Sequence, residues 1–140
     1  MAELLNCVLL VDDNPADNYL HELVIQEAGV AEKIVITEDG EQALEYLKQT
    51  VDGQYPQPDL VFLDINMPRM TGWEFLEAYN DLPAEQRGKV VIVMLTTSKN
   101  PDDLERANQL KAIGGFENKP LTHKRLINLL SHYFPDRVSD

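Results

Sequence analysis

Five short runs of apolar residues divide the sequence, and each run ends at polar or charged residues. The clearest runs are Leu60–Leu63, Cys7–Val11 and Val90–Leu95, and weaker runs cover Lys33–Thr37 and Phe116–Asn118. Apolar runs of this length, without strict alternation, are typical of strands that are buried on both faces of a parallel sheet. The pattern therefore predicts five strands.

Amphipathic segments with apolar residues at spacings of three and four follow the predicted strands and indicate helices. Asn14-Pro15 starts the first helix and Gly29 ends it, as expected for a capping residue, a proline and a terminal glycine. The apolar face predicted for this helix consists of Leu20, Leu23, Val24 and Ala28. The starts of the other four helices are predicted at Asp39-Gly40, Thr71-Gly72, Asn100-Pro101 and Thr122.

Strand and helix alternate five times, which predicts a parallel sheet covered by helices on both faces. The chain has 140 residues, whereas an eight-stranded α/β barrel typically needs about 250 residues. The fold class predicted is therefore α/β, a flavodoxin-like (βα)5 doubly wound sheet of five parallel strands in the order 2-1-3-4-5. We expect one domain over residues 1–140, with a core at about 7–133 and a short polar tail at 134–140.

The composition narrows the classes of function. The 24 acidic and 12 basic residues give a net charge of −12, which opposes binding to nucleic acid because that affinity depends largely on Lys and Arg. The N-terminus lacks the basic segment of a signal peptide, and no apolar run approaches the about 20 residues that span a membrane. We expect a cytoplasmic protein. Its single cysteine, Cys7, is predicted to be a buried, inert thiol.

Carboxylates follow two strands that the predicted topology makes neighbours. Asp12 and Asp13 follow the first strand and Asp64 follows the third. Any one of them could be a turn or capping residue, and this applies most to Asp13. Together, however, three carboxylates at one sheet edge repel one another unless a cation neutralises them. Oxygen ligands of this kind favour Mg²⁺, Mn²⁺ or Ca²⁺, and Mg²⁺ commonly uses one or two carboxylates with water and phosphate oxygens.

Thr96 and Lys119 end the fourth and fifth strands, so the topology brings them to the same edge. Lys119 could serve only to relieve repulsion among the carboxylates. A hydroxyl and an ammonium group also suit the binding of a phosphoryl group, because they donate to oxygens that a metal leaves free. Asp64 would then be a nucleophile, since carboxylates form acyl phosphates.

These residues, with Met67-Pro68 and Lys119-Pro120, resemble the receiver domain of two-component response regulators, from Val8 to about Tyr133. The resemblance implies that Asp64 is the phosphoacceptor. It implies a Mg²⁺ site formed by Asp12, Asp13, Asp64 and the backbone carbonyl of Asn66. It also implies that Thr96 is the switch hydroxyl, that Lys119 pairs with the phosphoryl group and that Phe116 is either the switch aromatic residue or a core residue.

Three further positions bear on the reaction that the resemblance implies. Asn66 and Ser98 occupy the positions that tune the lifetime of the phosphate in such domains, and Ser98 departs from the charged residue often found there. Thr97 replaces the small residue common in the family, so its side chain could narrow access to Asp64. The stretch Leu95–Pro101 is similar to a subgroup of single-domain regulators that includes those paired with bacterial phytochromes.

We therefore expect a single-domain response regulator and a signalling phosphoacceptor rather than an enzyme. Its expected phosphodonor is a sensor histidine kinase, of the phytochrome type by the narrower resemblance, or a phosphotransfer protein. The output would reach an unidentified downstream protein, and the face formed by the fourth helix, fifth strand and fifth helix could also form a homodimer. Neither nucleic acid nor a membrane is an expected partner.

Two other classes of function remain open from the sequence. A phosphohydrolase of the haloacid-dehalogenase type would need a second acid two residues after the nucleophile, where this chain has Asn66, and it would carry a cap segment. A degenerate receiver that only binds a partner would not need the acids, Thr96 and Lys119. The histidines His21, His123 and His132 lie on different predicted helices and are interpreted as surface or satisfied residues, not as phosphohistidine sites.

Overall fold

The computed structural model describes residues 4–49, 58–65, 67, 69–83, 91–96, 101–102, 105, 113–119 and 121–135; the side chains of Thr96, residues 113–116 and Asn118 lie outside the description. The five strands are β1 (Val8–Val11), β2 (Ile34–Thr37), β3 (Leu60–Leu63), β4 (Val91–Thr96) and β5 (Ile113–Asn118). The helices are α1 (Pro15–Ala28), α2 (Gly40–Lys48), α3 (Gly72–Asn80) and the C-terminal helix (His123–Tyr133).

The strands form one parallel sheet in the order β2-β1-β3-β4-β5. This order confirms the flavodoxin-like topology predicted from the sequence. Val11, the last residue of β1, is in register with Thr37 on one side and Leu63 on the other. The residues that follow these strands therefore emerge at one edge of the sheet, where the order of the strands reverses.

Alternate residues of the central strands contribute to two separate hydrophobic cores. Leu9 and Val11 of β1 pack with Val61 and Leu63 of β3 beneath helices α2 and α3. The residues between them point to the other face, where α1 and the C-terminal helix cover Val8, Leu10, Leu60 and Phe62. The period of two along each strand thus supplies both cores. These covered faces explain why the strands are apolar without interruption.

Side-chain caps begin each of these helices, as their sequences predict. The side chain of Asn14 accepts hydrogen bonds from the amides of Ala16 and Asp17 at the start of α1. Thr71 and Glu74 form a reciprocal capping box at the start of α3. Thr122 accepts from the amide of Arg125 at the start of the C-terminal helix. The segments that precede these caps are therefore fixed relative to the helices.

The inward face of α1 differs from the prediction. The buried residues of this helix are Asn18, His21 and Ile25, whereas Leu20 is 51% exposed. The predicted face was wrong for Leu20, because two polar side chains occupy inner positions, whereas Val24 and Ala28 do pack against the core. Burial lowers the pKa of His21, with the nearby charge of Lys119 acting in the same direction. His21 is therefore an interior residue, while His123 and His132 are exposed.

Most of the fourth predicted helix lies outside the described residues. Pro101, Asp102 and Glu105 are helical, in agreement with a start at Asn100-Pro101. The surface proposed for a homodimer includes this helix, so that prediction also lies outside the described residues. No helix in the described part of the chain has both the length and the apolar character needed to cross a membrane.

Candidate functional site

Adjacent strands deliver Asp12 and Asp64 to the same edge of the sheet. The amide of Asp64 donates a 3.0 Å hydrogen bond to the carbonyl oxygen of Val11, so pairing of β1 with β3 extends to the acid itself. The amide of Asp12 donates a 3.1 Å hydrogen bond to the carbonyl oxygen of Thr37 on the other side. Both carboxylates are thus positioned by the backbone hydrogen bonds of a packed sheet rather than by a free loop.

Asp12, Asp13 and Asp64 form a cluster in which one carboxylate oxygen from each residue lies within 4.8 Å of the others. Asp12 and Asp64 are buried, with 5% and 7% of their surfaces exposed, whereas Asp13 is exposed. Three converging carboxylate oxygens with one side open to solvent fit a hard divalent cation that keeps part of its water shell. The donor set therefore agrees with a Mg²⁺ or Mn²⁺ site and not with the nitrogen and sulfur ligands typical of structural zinc.

Lys119 brings a positive charge into this cluster from the end of β5. Its Nζ atom lies 2.6 Å from Asp12 Oδ2, 2.9 Å from Asp17 Oδ2 and 3.5 Å from Asp64 Oδ1. The lysine side chain is only 9% exposed, so its ammonium group depends on these carboxylates to replace water. The site therefore contains one buried cation that is shared among three acids.

Burial and neighbouring charges shift the ionisation of both Asp64 and Lys119. Burial raises the pKa of Asp64 to about 6, Lys119 opposes that shift, and Asp12 and Asp13 add to it. For Lys119, burial disfavours the charged form, but hydrogen bonds to Asp12 and Asp17 and the charge of Asp64 together raise its pKa. Lys119 is consequently a permanent cation at neutral pH, and Asp64 is a carboxylate whose negative charge is poorly solvated.

The turn after β3 folds back tightly against Asp64. The amide of Gly72 donates a 2.8 Å hydrogen bond to the carbonyl oxygen of Ile65. A Cβ atom at position 72 would overlap the carbonyl oxygen of Asp64 and lie 3.0 Å from the Cα of Ile65. Glycine is therefore required where α3 begins, because a side chain there would displace the backbone at the end of β3.

Two contacts join the same turn to the start of α2. Arg69, which has a left-handed backbone at φ 65°, forms an ion pair with the buried carboxylate of Asp39. The other oxygen of Asp39 accepts from the amide of Gln42 and caps α2. Met70 packs on Gly40, where a Cβ would lie 2.7 Å from the methionine sulfur. These contacts attach Arg69 and Met70 to the start of α2.

Residues at the start of α1 hold Asp12 in position. The amide of Asn14 donates to Asp12 Oδ1 at 3.0 Å, and the side chain of Asn18 donates to the carbonyl oxygen of Asp12 at 2.8 Å. Asn18 is 3% exposed, so its amide group is a fixed internal support. The orientation of the Asp12 carboxylate is therefore set by α1 as well as by the sheet.

The structure brings together four of the residues selected from the sequence: Asp12, Asp13, Asp64 and Lys119. Thr96 is the last residue of β4 and Phe116 lies on β5 opposite Met94, but their side chains are outside the description. The other positions selected from the sequence lie outside the described residues: Asn66, Pro68, Thr97, Ser98 and Pro120.

Sequence reasoning missed Asp17, Asn18, Arg69 and Gly72 as parts of the site. Acidic residues in the first turn of a helix ordinarily complement the helix dipole, so Asp17 carried no separate signal. Its position directly after the acid pair and the Asn14-Pro15 cap could have placed it at the same sheet edge. Arg69 has a left-handed backbone that a bulky residue rarely adopts, so its contacts could not be predicted from local sequence patterns.

The chain belongs to the response regulator family: the family model for the response regulator receiver domain matches residues 8–131. Response regulator Rcp1 of Synechocystis sp. is 35% identical over 106 residues, which cover 74% of this chain and 69% of Rcp1. The resemblance predicted from the sequence motifs is confirmed by this match. The protein is therefore a signalling receiver domain of a two-component system.

Solved structures give the same assignment. A two-component response regulator from Cytophaga hutchinsonii superposes with a TM-score of 0.85 at 26% identity, covering 95% of this chain and 99% of that one. The Mn²⁺-bound form of Rcp1 has a TM-score of 0.73 at 27% identity, covering 96% and 97%. The phosphorylated cyanobacterial phytochrome response regulator RcpA has a TM-score of 0.74 at 27% identity, with the same coverages.

Proposed function

We propose that Asp64 accepts a phosphoryl group from a phosphohistidine in a reaction that depends on Mg²⁺. The observation that carries this proposal is the position of the Asp64 carboxylate among two further acids and one buried lysine at the edge of the sheet. Membership of the receiver family supports the same role. Asp64 combines burial with access to the open side of the acid cluster, as a nucleophile for a small anionic group requires.

Asp12, Asp13 and Asp64 would hold the metal ion, since one oxygen of each can converge on a common centre. By resemblance to the family, the backbone carbonyl of Asn66 would complete the protein ligands. A divalent cation at this position supplies positive charge that offsets the negative charge of phosphoryl oxygens. The Mn²⁺-bound form of Rcp1 supports a divalent ion in a related chain, and the choice of Mg²⁺ is part of our proposal.

In the transfer itself, an oxygen of Asp64 attacks phosphorus in line with the leaving group. A P–O bond forms to Asp64 as the P–N bond to the donor imidazole breaks, and the imidazole nitrogen keeps the electron pair. The carboxylate must be ionised to supply its electrons, and the positive charge of Lys119 favours the ionised form. Lys119 lies where its ammonium group can donate to an oxygen of the transferred group.

The resulting aspartyl phosphate would act as a switch. Phosphorylation adds about two negative charges and three acceptor oxygens next to Lys119 and the end of β4. We propose that the hydroxyl of Thr96 turns toward these oxygens, and that Phe116 responds on the neighbouring strand. The switch would shift an equilibrium between surfaces that a downstream protein distinguishes, on the face of the fourth helix, β5 and the C-terminal helix.

The phosphodonor proposed is a sensor histidine kinase or a phosphotransfer protein. A phytochrome-type kinase is the specific candidate, because RcpA is a phytochrome response regulator and Rcp1 is similar to this chain. The strongly acidic composition favours recognition by a protein surface over binding to nucleic acid. A panel of purified kinases, each incubated with this protein and ATP, would identify the donor by the rate of phosphotransfer.

Incubation with acetyl phosphate and Mg²⁺, followed by intact-protein mass spectrometry, tests the proposal without a kinase. The wild type should gain the mass of one phosphoryl group, and Asp64→Asn should gain none. Glu27→Gln is the matched control, since Glu27 is an exposed acid on α1 away from the cluster. A wild type that never gains mass, or an Asp64→Asn variant that gains as much as the wild type, would contradict the proposal.

A further inference from the structure

Lys119 is held more closely by Asp12 and Asp17 than by Asp64. Its Nζ atom donates hydrogen bonds of 2.6 Å to Asp12 and 2.9 Å to Asp17, whereas the nearest oxygen of Asp64 lies at 3.5 Å. An ammonium group has three N–H donors, so each carboxylate that it serves takes up part of its capacity. Asp12 and Asp17 thus compete with the proposed acceptor, Asp64, for the N–H donors of Lys119.

Asp17 occupies a fixed position from which it can compete. Its amide donates to the capping side chain of Asn14 at 3.2 Å, and it lies in the first turn of α1, where a negative charge is favoured. Asp17 is not part of the converging triad of Asp12, Asp13 and Asp64. Its described contact within the site is with the lysine, so it acts on the site through Lys119.

The two competing acids differ in what they would lose if Lys119 moved toward Asp64. The side chain of Asp12 is 6% exposed and cannot replace the ammonium group with bulk water. The side chain of Asp17 is 31% exposed, so water can solvate its carboxylate when the lysine leaves. Asp17 is therefore the partner that Lys119 can release, and the strength of that contact sets how readily the lysine moves.

We propose that Asp17 is a positioning residue that holds Lys119 and competes with a phosphoryl group on Asp64 for its ammonium group. The proposal rests on the function proposed above and adds a determinant of the switch that lies outside its acceptor, metal and hydroxyl residues. Removal of the Asp17 charge weakens its hold on Lys119 and makes one N–H donor of the lysine more available to the phosphoryl oxygens. The phosphorylated form then becomes more stable relative to the unphosphorylated form.

Binding of beryllium trifluoride, a stable analogue of the phosphoryl group, measures this competition without turnover. Titrations in saturating Mg²⁺ can be followed by the fluorescence of Trp73, the single tryptophan, which is next to Gly72 at the start of α3. Asp17→Asn should bind the analogue about two- to fivefold more tightly than the wild type, the range expected for losing a partly exposed ion pair. Asp17→Glu, which restores the charge, should return the affinity toward the wild-type value.

Two controls separate the proposed contact from a general effect of charge. Glu27→Gln removes an exposed acid from the same helix and should leave the affinity unchanged. In a Lys119→Met background, where the analogue binds more weakly, Asp17→Asn should have no further effect. Denaturation curves for each variant establish that the chains compared are folded.

The outcomes distinguish this inference from the proposed function. Unchanged or weaker binding by Asp17→Asn overturns the inference, as does a gain in affinity that persists in the Lys119→Met background. In both cases a wild type that binds the analogue leaves the proposed function standing. If the wild type binds no analogue at any Mg²⁺ concentration, the proposed function fails and this inference fails with it.

Discussion

Gly72 packs against the carbonyl group of Asp64 so closely that position 72 has no room for a Cβ atom. The start of α3 thus supports the backbone of the proposed acceptor directly. The hydrogen bond from the Gly72 amide to Ile65 closes the turn between them. The position of the Asp64 carboxylate consequently depends on a residue that carries no side-chain chemistry of its own.

Gly72→Ala should therefore damage both stability and the metal site. We expect the free energy of unfolding to fall by about 1–3 kcal/mol, as for overpacking in a closed core. Gly29→Ala is the control: its φ of 65° costs about 1–2 kcal/mol, but no atom lies within 4 Å of the new Cβ. Denaturation and Mg²⁺ titrations should show weaker Mg²⁺ binding for Gly72→Ala only. Equal Mg²⁺ affinity in the two variants would exclude support of Asp64 by Gly72.

Substitution of Asp13 should affect metal binding without affecting folding, because Asp13 is exposed while its neighbour Asp12 is buried. In a chelator, Asp13→Asn should change the free energy of unfolding by less than about 0.5 kcal/mol, as for most surface substitutions. Mg²⁺ at roughly 100 times its Kd should stabilise the wild type by about 2.7 kcal/mol, and it should stabilise Asp13→Asn by less. Glu38→Gln, which removes another exposed acid, should behave like the wild type. Equal stabilisation of all three proteins would remove Asp13 from the proposed ligands.

Stability should depend on pH through Asp64. Its pKa is raised by burial from 3.8 to about 6, so the folded state retains a proton that the unfolded state has already lost between these values. The contribution of Asp64 to stability is fully present below about pH 4 and is lost as the pH rises to about 6. In a chelator, the free energy of unfolding of the wild type should fall over this range relative to Asp64→Asn. A constant difference between the two proteins from pH 4 to pH 7 would show that burial does not perturb Asp64.

The ion pair between Arg69 and Asp39 should contribute measurably to stability. Asp39 is 2% exposed and Arg69 is 64% exposed, so solvent screens the pair only from one side. A double-mutant cycle with Arg69→Gln and Asp39→Asn should give a coupling free energy of about 1 kcal/mol. The pair of Arg125 and Glu117 is 3.5 Å apart and its carboxylate is 26% exposed, so the parallel cycle with Arg125→Gln and Glu117→Gln should give a smaller value. Equal coupling free energies in the two cycles would show that burial of Asp39 does not strengthen the ion pair at the turn after β3.

The strand order and the convergence of acids at the sheet edge could be predicted because each depends on a simple pattern. Buried strands require apolar residues throughout, and parallel strands end at the same edge. Asp12 and Asp64 follow two such strands directly, so the topology alone brings them together. Lys119 follows β5 in the same way, which explains why the sequence indicated its position.

The supporting contacts could not be predicted because they depend on side chains that local patterns do not distinguish. The inner face of α1 contains Asn18 and His21, so a search for apolar spacing omitted these residues and included the exposed Leu20, although it identified Val24 and Ala28. Asn18 is buried because it supports the carbonyl group of Asp12, and Asp17 points to Lys119 across the sheet edge. These requirements arise only when the helix and strands are assembled.

Locating the modified residue shows whether Asp64 carries the phosphoryl group. After treatment with acetyl phosphate and Mg²⁺, borohydride reduction converts an aspartyl phosphate to homoserine, and peptide mass spectrometry identifies its position. We expect homoserine at position 64 and unmodified aspartate at positions 12, 13 and 17. Homoserine at one of those three positions with Asp64 unmodified would contradict this expectation.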